Sequence, residues 1–69
     1  MLAQNIRKFR LKKGLTQEKL SRLADISTAT LVKIEANVAK EPTIITITKI
    51  ADVLEVSIDM LVGRLKRKG

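Results

Sequence analysis

The 69-residue sequence contains no cysteine and no histidine. Without thiols, no disulfide can staple the fold and no thiolate can bind a metal. With both residue types missing, zinc sites and Cys- or His-based catalysis are excluded as well. The lack of cysteine fits the reducing cytoplasm, which is the expected compartment. Tryptophan and tyrosine are also missing, and Phe9 is the sole aromatic. Single-strand readers stack bases on aromatic platforms, so that mode of binding is disfavoured. No apolar run approaches the roughly 20 residues of a membrane span, and the N-terminus lacks the hydrophobic stretch of a signal peptide. Acids are scarce: seven Asp and Glu stand against 14 Lys and Arg, for a formal net charge of +7. They are scattered, with no pair beside a nucleophile or base. No enzyme activity, cofactor, metal or small-molecule ligand is expected.

What is present suits one small domain. A chain of this size buries only about 60% of its unfolded surface. The basic balance favours a polyanionic partner, either nucleic acid or an anionic membrane. A membrane-surface peptide would carry one strongly amphipathic helix, whereas the apolar residues here are spread over several capped segments.

The chain is organised around Gln17 to Glu35, entered through Thr16. The hydroxyl of Thr16 can accept from a backbone N–H that the helix itself leaves unpaired. Leu20, Leu23 and Ala24 mark an apolar face at helical spacing. Asp25 interrupts the pattern; aspartate tolerates a left-handed backbone better than most residues. Ile26 is expected under the turn. Ser27 caps a second helix whose buried stripe is Leu31 and Ile34. The other face, Thr28, Ala29, Val32 and Lys33, is small near its start and carries one cation a turn later. Two short helices with such a face suit close approach to base edges in a DNA groove. The plainer reading is a helical hairpin in a structural bundle.

Before this unit, Leu2 to Lys13 reads as a helix with Leu2, Ile6 and Phe9 on its buried stripe. Gly14 is a C-terminal cap and Leu15 tucks into the core. Arg7, Lys8, Lys12 and Lys13 read as a solvated basic face. After the unit, Ala36 to Glu41 is a loop, with Asn37 able to take a left-handed position. Pro42 disfavours helix at Glu41, and Thr43 caps a fresh start. The run Ile44-Ile45-Thr46-Ile47-Thr48-Lys49-Ile50 has strand propensity. Ile44, Ile47, Ile50, Ala51 and Leu54 nevertheless match a helical stripe that alternation cannot explain, so a fourth helix is predicted. Ile45 lies off that stripe. Ser57 caps a short fifth helix with Ile58, Leu61 and Val62 apolar, ended by Gly63. Residues 1–63 form the predicted domain, and residues 64–69 a basic C-terminal tail.

Ile6-Arg7-x-x-Arg10, Gly14-Leu15-Thr16-Gln17-x-x-Leu20, Ile26-Ser27-x-x-Thr30-Leu31-x-x-Ile34-Glu35, Pro42-Thr43 and Ile50-Ala51-x-x-Leu54-x-Val56-Ser57-x-Asp59-x-Leu61 occur in this order. Each piece is weak alone. Together they resemble the Cro/repressor type of helix-turn-helix domain, often called XRE-like, from about Leu2 to Val62. The resemblance implies an all-α, compact, five-helix lambda-repressor-like domain with the helix-turn-helix at its second and third helices. It implies base contacts from Ser27, Thr28, Ala29, Val32 and Lys33. It further implies phosphate contacts from Thr16, Gln17, Thr30, Asn37 and Lys40, and a structural salt bridge between Arg10 and Glu35. Val56 and Ile58 are candidate dimer contacts. Three departures stand out. Asp25 and Asn37 replace the glycines usual in the family, and the base-facing set lacks long amides. Thr28 and Ala29 suit thymine methyls or a single hydrogen bond, and Lys33 suits guanine.

The implied function is sequence-specific binding of double-stranded DNA by a homodimeric transcriptional regulator, a repressor acting on an inverted repeat. The alternative is a protein-interaction module, such as an antitoxin or accessory subunit built on the same fold. The basic charge favours the first.

Overall fold

The computed structural model describes residues 2–38 and 42–63. Five α-helices follow one another: α1 (Leu2–Lys12), α2 (Gln17–Leu23), α3 (Thr28–Glu35), α4 (Ile44–Leu54) and α5 (Ile58–Val62). No strand occurs among the described residues, and the fold is all-α.

One starting device recurs at four helices. Thr16, Ser27, Thr43 and Ser57 stand before α2, α3, α4 and α5 with extended backbones. Each hydroxyl accepts from the N–H three residues on: Lys19 at 3.0 Å, Thr30 at 3.0 Å, Thr46 at 3.2 Å and Met60 at 3.1 Å. Such a cap stabilises a helix by about 0.5–2 kcal/mol over alanine.

One stopping device recurs as well. Gly14, Asp25, Asn37 and Glu55 have left-handed backbones, with φ of 73°, 58°, 61° and 60°. The following N–H then reaches back five residues, as Leu15 to the Arg10 carbonyl at 3.1 Å and Ile26 to that of Ser21 at 2.9 Å. Val38 does the same to Lys33 at 2.9 Å, and Val56 to Ala51 at 3.1 Å. This closure pairs carbonyls that a helix end would leave open. The residue after the left-handed position is apolar each time. Leu15, Ile26 and Val56 use it to pack on the core, while Val38 stays 63% exposed. At Gly14 an added Cβ would meet nothing within 4 Å, so backbone conformation alone favours glycine there.

The core takes one fully buried apolar side chain from each helix: Ile6, Leu20, Leu31, Ile50 and Leu61. Burial of each stabilises the fold by about 1.5–3 kcal/mol. Helix α1 packs on α3 and α5, α2 on α3 and α4, and α4 on α5. Asn5 fastens α1 to the end of α5, donating from Nδ2 to the Leu61 carbonyl at 2.8 Å. In α4 the buried stripe is Ile47, Ile50, Ala51 and Leu54. Helical burial thus overrides the strand propensity of its β-branched run.

Several expectations need correction. Leu23 is not on the buried face of α2; it is 53% exposed. The buried side of α2 is Leu20 and Ser21, continued by Ala24. At 100° per residue, Leu23 lies roughly 110° from the middle of that arc. Ile44 is 62% exposed because it sits in the first turn of α4, ahead of the stripe that begins at Ile47. Helix α1 ends at Lys12 rather than Lys13. Lys13 is not simply solvated: its Nζ lies 2.8 Å from Glu55 Oε1. That hydrogen bond and the lysine charge hold the Glu55 carboxyl below the ordinary carboxylate range. Lys40 and residues 64–69, with the basic tail, lie outside the described residues. Among the described residues no helix is long and apolar enough to cross a membrane.

Candidate nucleic-acid interface

The orientation of α3 is fixed by an ion pair buried beneath it. Arg10 of α1 donates from Nε to Glu35 Oε2 at 2.8 Å and from Nη2 to Glu35 Oε1 at 3.1 Å. The side chains are 10% and 4% exposed. The third guanidinium nitrogen, Nη1, donates to the Leu15 carbonyl at 2.8 Å. Gln17, the first residue of α2, donates from Nε2 to Glu35 Oε1 at 3.1 Å. One carboxylate at the end of α3 therefore takes three N–H groups from α1 and α2. Paired two-point contact and full hydrogen bonding are what allow a charge to be buried.

The first turn of α3 is held by hydroxyls. Ser27 Oγ accepts from the Thr30 N–H and donates to Thr30 Oγ1 at 2.7 Å. Thr28 Oγ1 lies 2.8 Å from Oγ of Ser21, a buried polar residue of α2. Ser21 in turn donates to the Glu18 carbonyl at 2.8 Å. This bridge brings the start of α3 against α2. Its backbone complement is the Ile26 N–H bound to the Ser21 carbonyl.

With that frame in place, α3 turns Thr28, Ala29, Val32 and Lys33 outward, all exposed. Val32, 41% exposed, forms a wall of an open recess of about 310 Å³. Arg7, Arg10, Gln17, Glu35 and Ala36 line the rest. Arg10 and Glu35 neutralise each other there. Arg7, exposed on α1, adds a positive charge at the edge.

The remaining candidates fall around this face. Thr16 is exposed at the start of α2, and Thr30 is exposed on the first turn of α3. Asn37 is exposed in the left-handed position after α3. Gln17 is half-buried, and among the described residues the amide N–H on Glu35 is its one side-chain hydrogen bond. Val56 and Ile58 flank the link from α4 to α5 on a different part of the molecule, half-buried against the core.

Two residues of the site carry no single-residue signal in the sequence. Ser21 reads as an ordinary polar position, yet it falls on the buried arc one residue after Leu20. Arg7 reads as one of several solvated cations. Only the bend of the chain between α1 and α3 puts it at the recess.

The helix-turn-helix family model matches residues 6–61. A search of curated proteins gives no match. Among solved structures, the chain is similar to SinR in the SinR protein/SinI protein complex, at 32% identity and a TM-score of 0.87. That similarity covers 90% of this chain and 60% of the SinR chain, so this sequence spans less than two thirds of that protein. The same identity and TM-score hold for SinR, the master regulator for biofilm formation, in complex with DNA, over 90% of this chain and 98% of that one. They hold again for the N-terminal DNA binding domain of SinR from Bacillus subtilis, covering 90% of each chain. On the family match and the shared five-helix fold, the chain belongs to the Cro/repressor (XRE) type of helix-turn-helix protein, a non-enzymatic family of DNA-binding regulators.

Proposed function

We propose that this chain is a sequence-specific reader of double-stranded DNA and a cytoplasmic transcriptional repressor. It binds an inverted-repeat operator as a homodimer, with α3 of each copy in the major groove. The observation that carries this reading is the exposed, small-residue face of α3, held outward by the buried Arg10–Glu35–Gln17 cluster. The likeness to SinR in complex with DNA supports it.

Two kinds of contact divide the work. Phosphate contacts from Thr16, Gln17, Thr30, Asn37 and Lys40 supply affinity, and the net charge of +7 adds long-range attraction. Thr30 suits this role: its oxygen accepts from Ser27, which leaves its own proton to donate outward. Ser27, Thr28, Ala29, Val32 and Lys33 read the bases, with Lys33 directed to guanine acceptors and Ala29 and Val32 to thymine methyls. Val56 and Ile58 contribute the dimer contact, which sets two recognition helices about one DNA turn apart, roughly 34 Å. Residues 1–63 act as the DNA-binding unit, and the basic tail adds non-specific attraction.

Selection of bound duplexes from a random pool at near-physiological salt tests the proposal. Enrichment of an inverted repeat with fixed half-site spacing is the expected result. Binding without enrichment would leave only charge attraction and would favour a protein partner instead.

A further inference from the structure

The hydroxyl bridge between α2 and α3 has a fixed proton direction. Ser21 is 2% exposed, so no solvent water shares its hydroxyl. Its Oγ lies 2.8 Å from the Glu18 carbonyl oxygen and 2.8 Å from Thr28 Oγ1. A carbonyl oxygen can only accept, and a serine hydroxyl has one proton. Ser21 must therefore donate to Glu18. The proton between Ser21 and Thr28 is then that of Thr28. The opposite assignment would set the Ser21 and Glu18 oxygens 2.8 Å apart with no proton between them, inside the protein. Thr28 thus donates inward and presents only lone pairs at its exposed side.

We infer that Thr28 is a specificity-determining residue whose hydroxyl acts only as an acceptor, with Ser21 as the positioning residue that sets its polarity. This rests on the proposed DNA reading and deepens it. In the major groove, adenine offers its N6 amino group and cytosine its N4 amino group, whereas guanine and thymine offer acceptors at that edge. An acceptor-only hydroxyl pairs with adenine or cytosine on the strand it faces and opposes guanine or thymine. A free threonine hydroxyl could rotate to suit either. Removal of Ser21 returns that freedom to Thr28.

The test is random-pool selection with the wild-type chain, Thr28→Val and Ser21→Ala. The position read by Thr28 is the one whose preference the Thr28→Val variant changes. Wild type should enrich one base pair there, and Ser21→Ala should broaden that position to pairs that place a guanine or thymine oxygen where wild type takes the amino group, while leaving the others as they were. In a follow-up titration, the amino-bearing base of that pair is replaced by its amino-free analogue, purine for adenine or 2-pyrimidinone for cytosine. Wild type should lose roughly 2- to 10-fold in affinity, the worth of one hydrogen bond, and Thr28→Val should lose nothing. An amino-free analogue that costs wild type no more than it costs Thr28→Val overturns the inference. So does a Thr28→Val variant that changes no position, or a folded Ser21→Ala variant with the wild-type preference. If Ser21→Ala does not fold, the analogue titration decides alone. Absence of any enriched position with wild type would instead defeat the DNA reading itself.

Discussion

Replacing Glu35 with glutamine should be among the most damaging single changes in the domain. The substitution keeps shape and volume but removes the charge that Arg10 faces. Three donors converge on the carboxylate: two from Arg10 and one from Gln17. A glutamine offers one oxygen, and its amide nitrogen is itself a donor pointed at donors. With the Arg10 and Glu35 side chains 10% and 4% exposed, water cannot take the place of the lost charge. Leaving a buried ion without its partner costs about 3–5 kcal/mol. A domain of 69 residues has a total stability of about 3–10 kcal/mol. Glu35→Gln should therefore remove a third or more of it, and lower the melting midpoint by about 12–40 °C. Urea unfolding followed by far-ultraviolet circular dichroism reads the difference directly. The double variant Arg10→Met, Glu35→Leu should be less destabilised than Glu35→Gln alone, because exchanging a buried pair for apolar volume is often close to neutral. A Glu35→Gln variant within about 1 kcal/mol of wild type, or a double variant as damaged as the sum of its parts, would refute the reasoning.

Three further outcomes follow from the same geometry. Arg7→Gln should lower the slope of log affinity against log salt by about 0.9, the share of one phosphate, and weaken cognate and scrambled duplexes alike. A slope unchanged from wild type would remove Arg7 from the interface. Asp25→Gly should stabilise the fold by roughly 0.5–1 kcal/mol, since relief of the left-handed backbone, about 1–2 kcal/mol, outweighs the greater freedom glycine gives the unfolded chain. A lower melting midpoint for that variant would contradict this. Glu55 titrates below its ordinary range because Lys13 holds its charged form, so the pair stabilises the fold above the ordinary carboxylate range and ceases to do so as pH falls through the lowered value. Carboxyl NMR should show the Glu55 midpoint rising in Lys13→Gln, and an unmoved midpoint would argue against the pair.

The fold was legible in the sequence where local chemistry decides it. Four hydroxyl caps mark four helix starts, and Gly14, Asp25, Asn37 and Gly63 mark four left-handed stops. The remaining stop, Glu55, has no such mark, because glutamate has no special tolerance for that backbone. It is held by the Val56 N–H on the Ala51 carbonyl, by Val56 packed on the core and by Lys13 across from α1. Leu23 and Ile44 misled because periodicity fixes which residues share a face but not which arc of that face meets another helix. The site divides in the same way. The face of α3 follows from helical spacing, whereas the Ser21–Thr28 bridge and the placement of Arg7 depend on how helices meet in space. Gln17 shows the limit plainly: its position at the start of α2 suggests phosphate, and its amide is found on Glu35.

The base-facing side of α3 carries no long amide. A glutamine or asparagine can grip an adenine edge with two hydrogen bonds, which distinguishes bases by about 1–3 kcal/mol. On this helix, the Ser27 proton is engaged by Thr30 and the Thr28 proton is turned to Ser21. What remains outward is one acceptor each at Ser27 and Thr28, one ammonium at Lys33 and apolar surface at Ala29 and Val32. These are single contacts, each worth about 0.5–1.5 kcal/mol. Under the proposed reading, each operator position should therefore be only moderately preferred, with specificity summed over several positions and doubled by the dimer. Lys33→Ala should erase preference for guanine at one position per half-site and leave binding to scrambled duplex nearly unchanged. A variant that weakened both equally would make Lys33 a phosphate contact. The apolar face and the hydroxyls of Ser27 and Thr28 would then have to carry base reading by themselves.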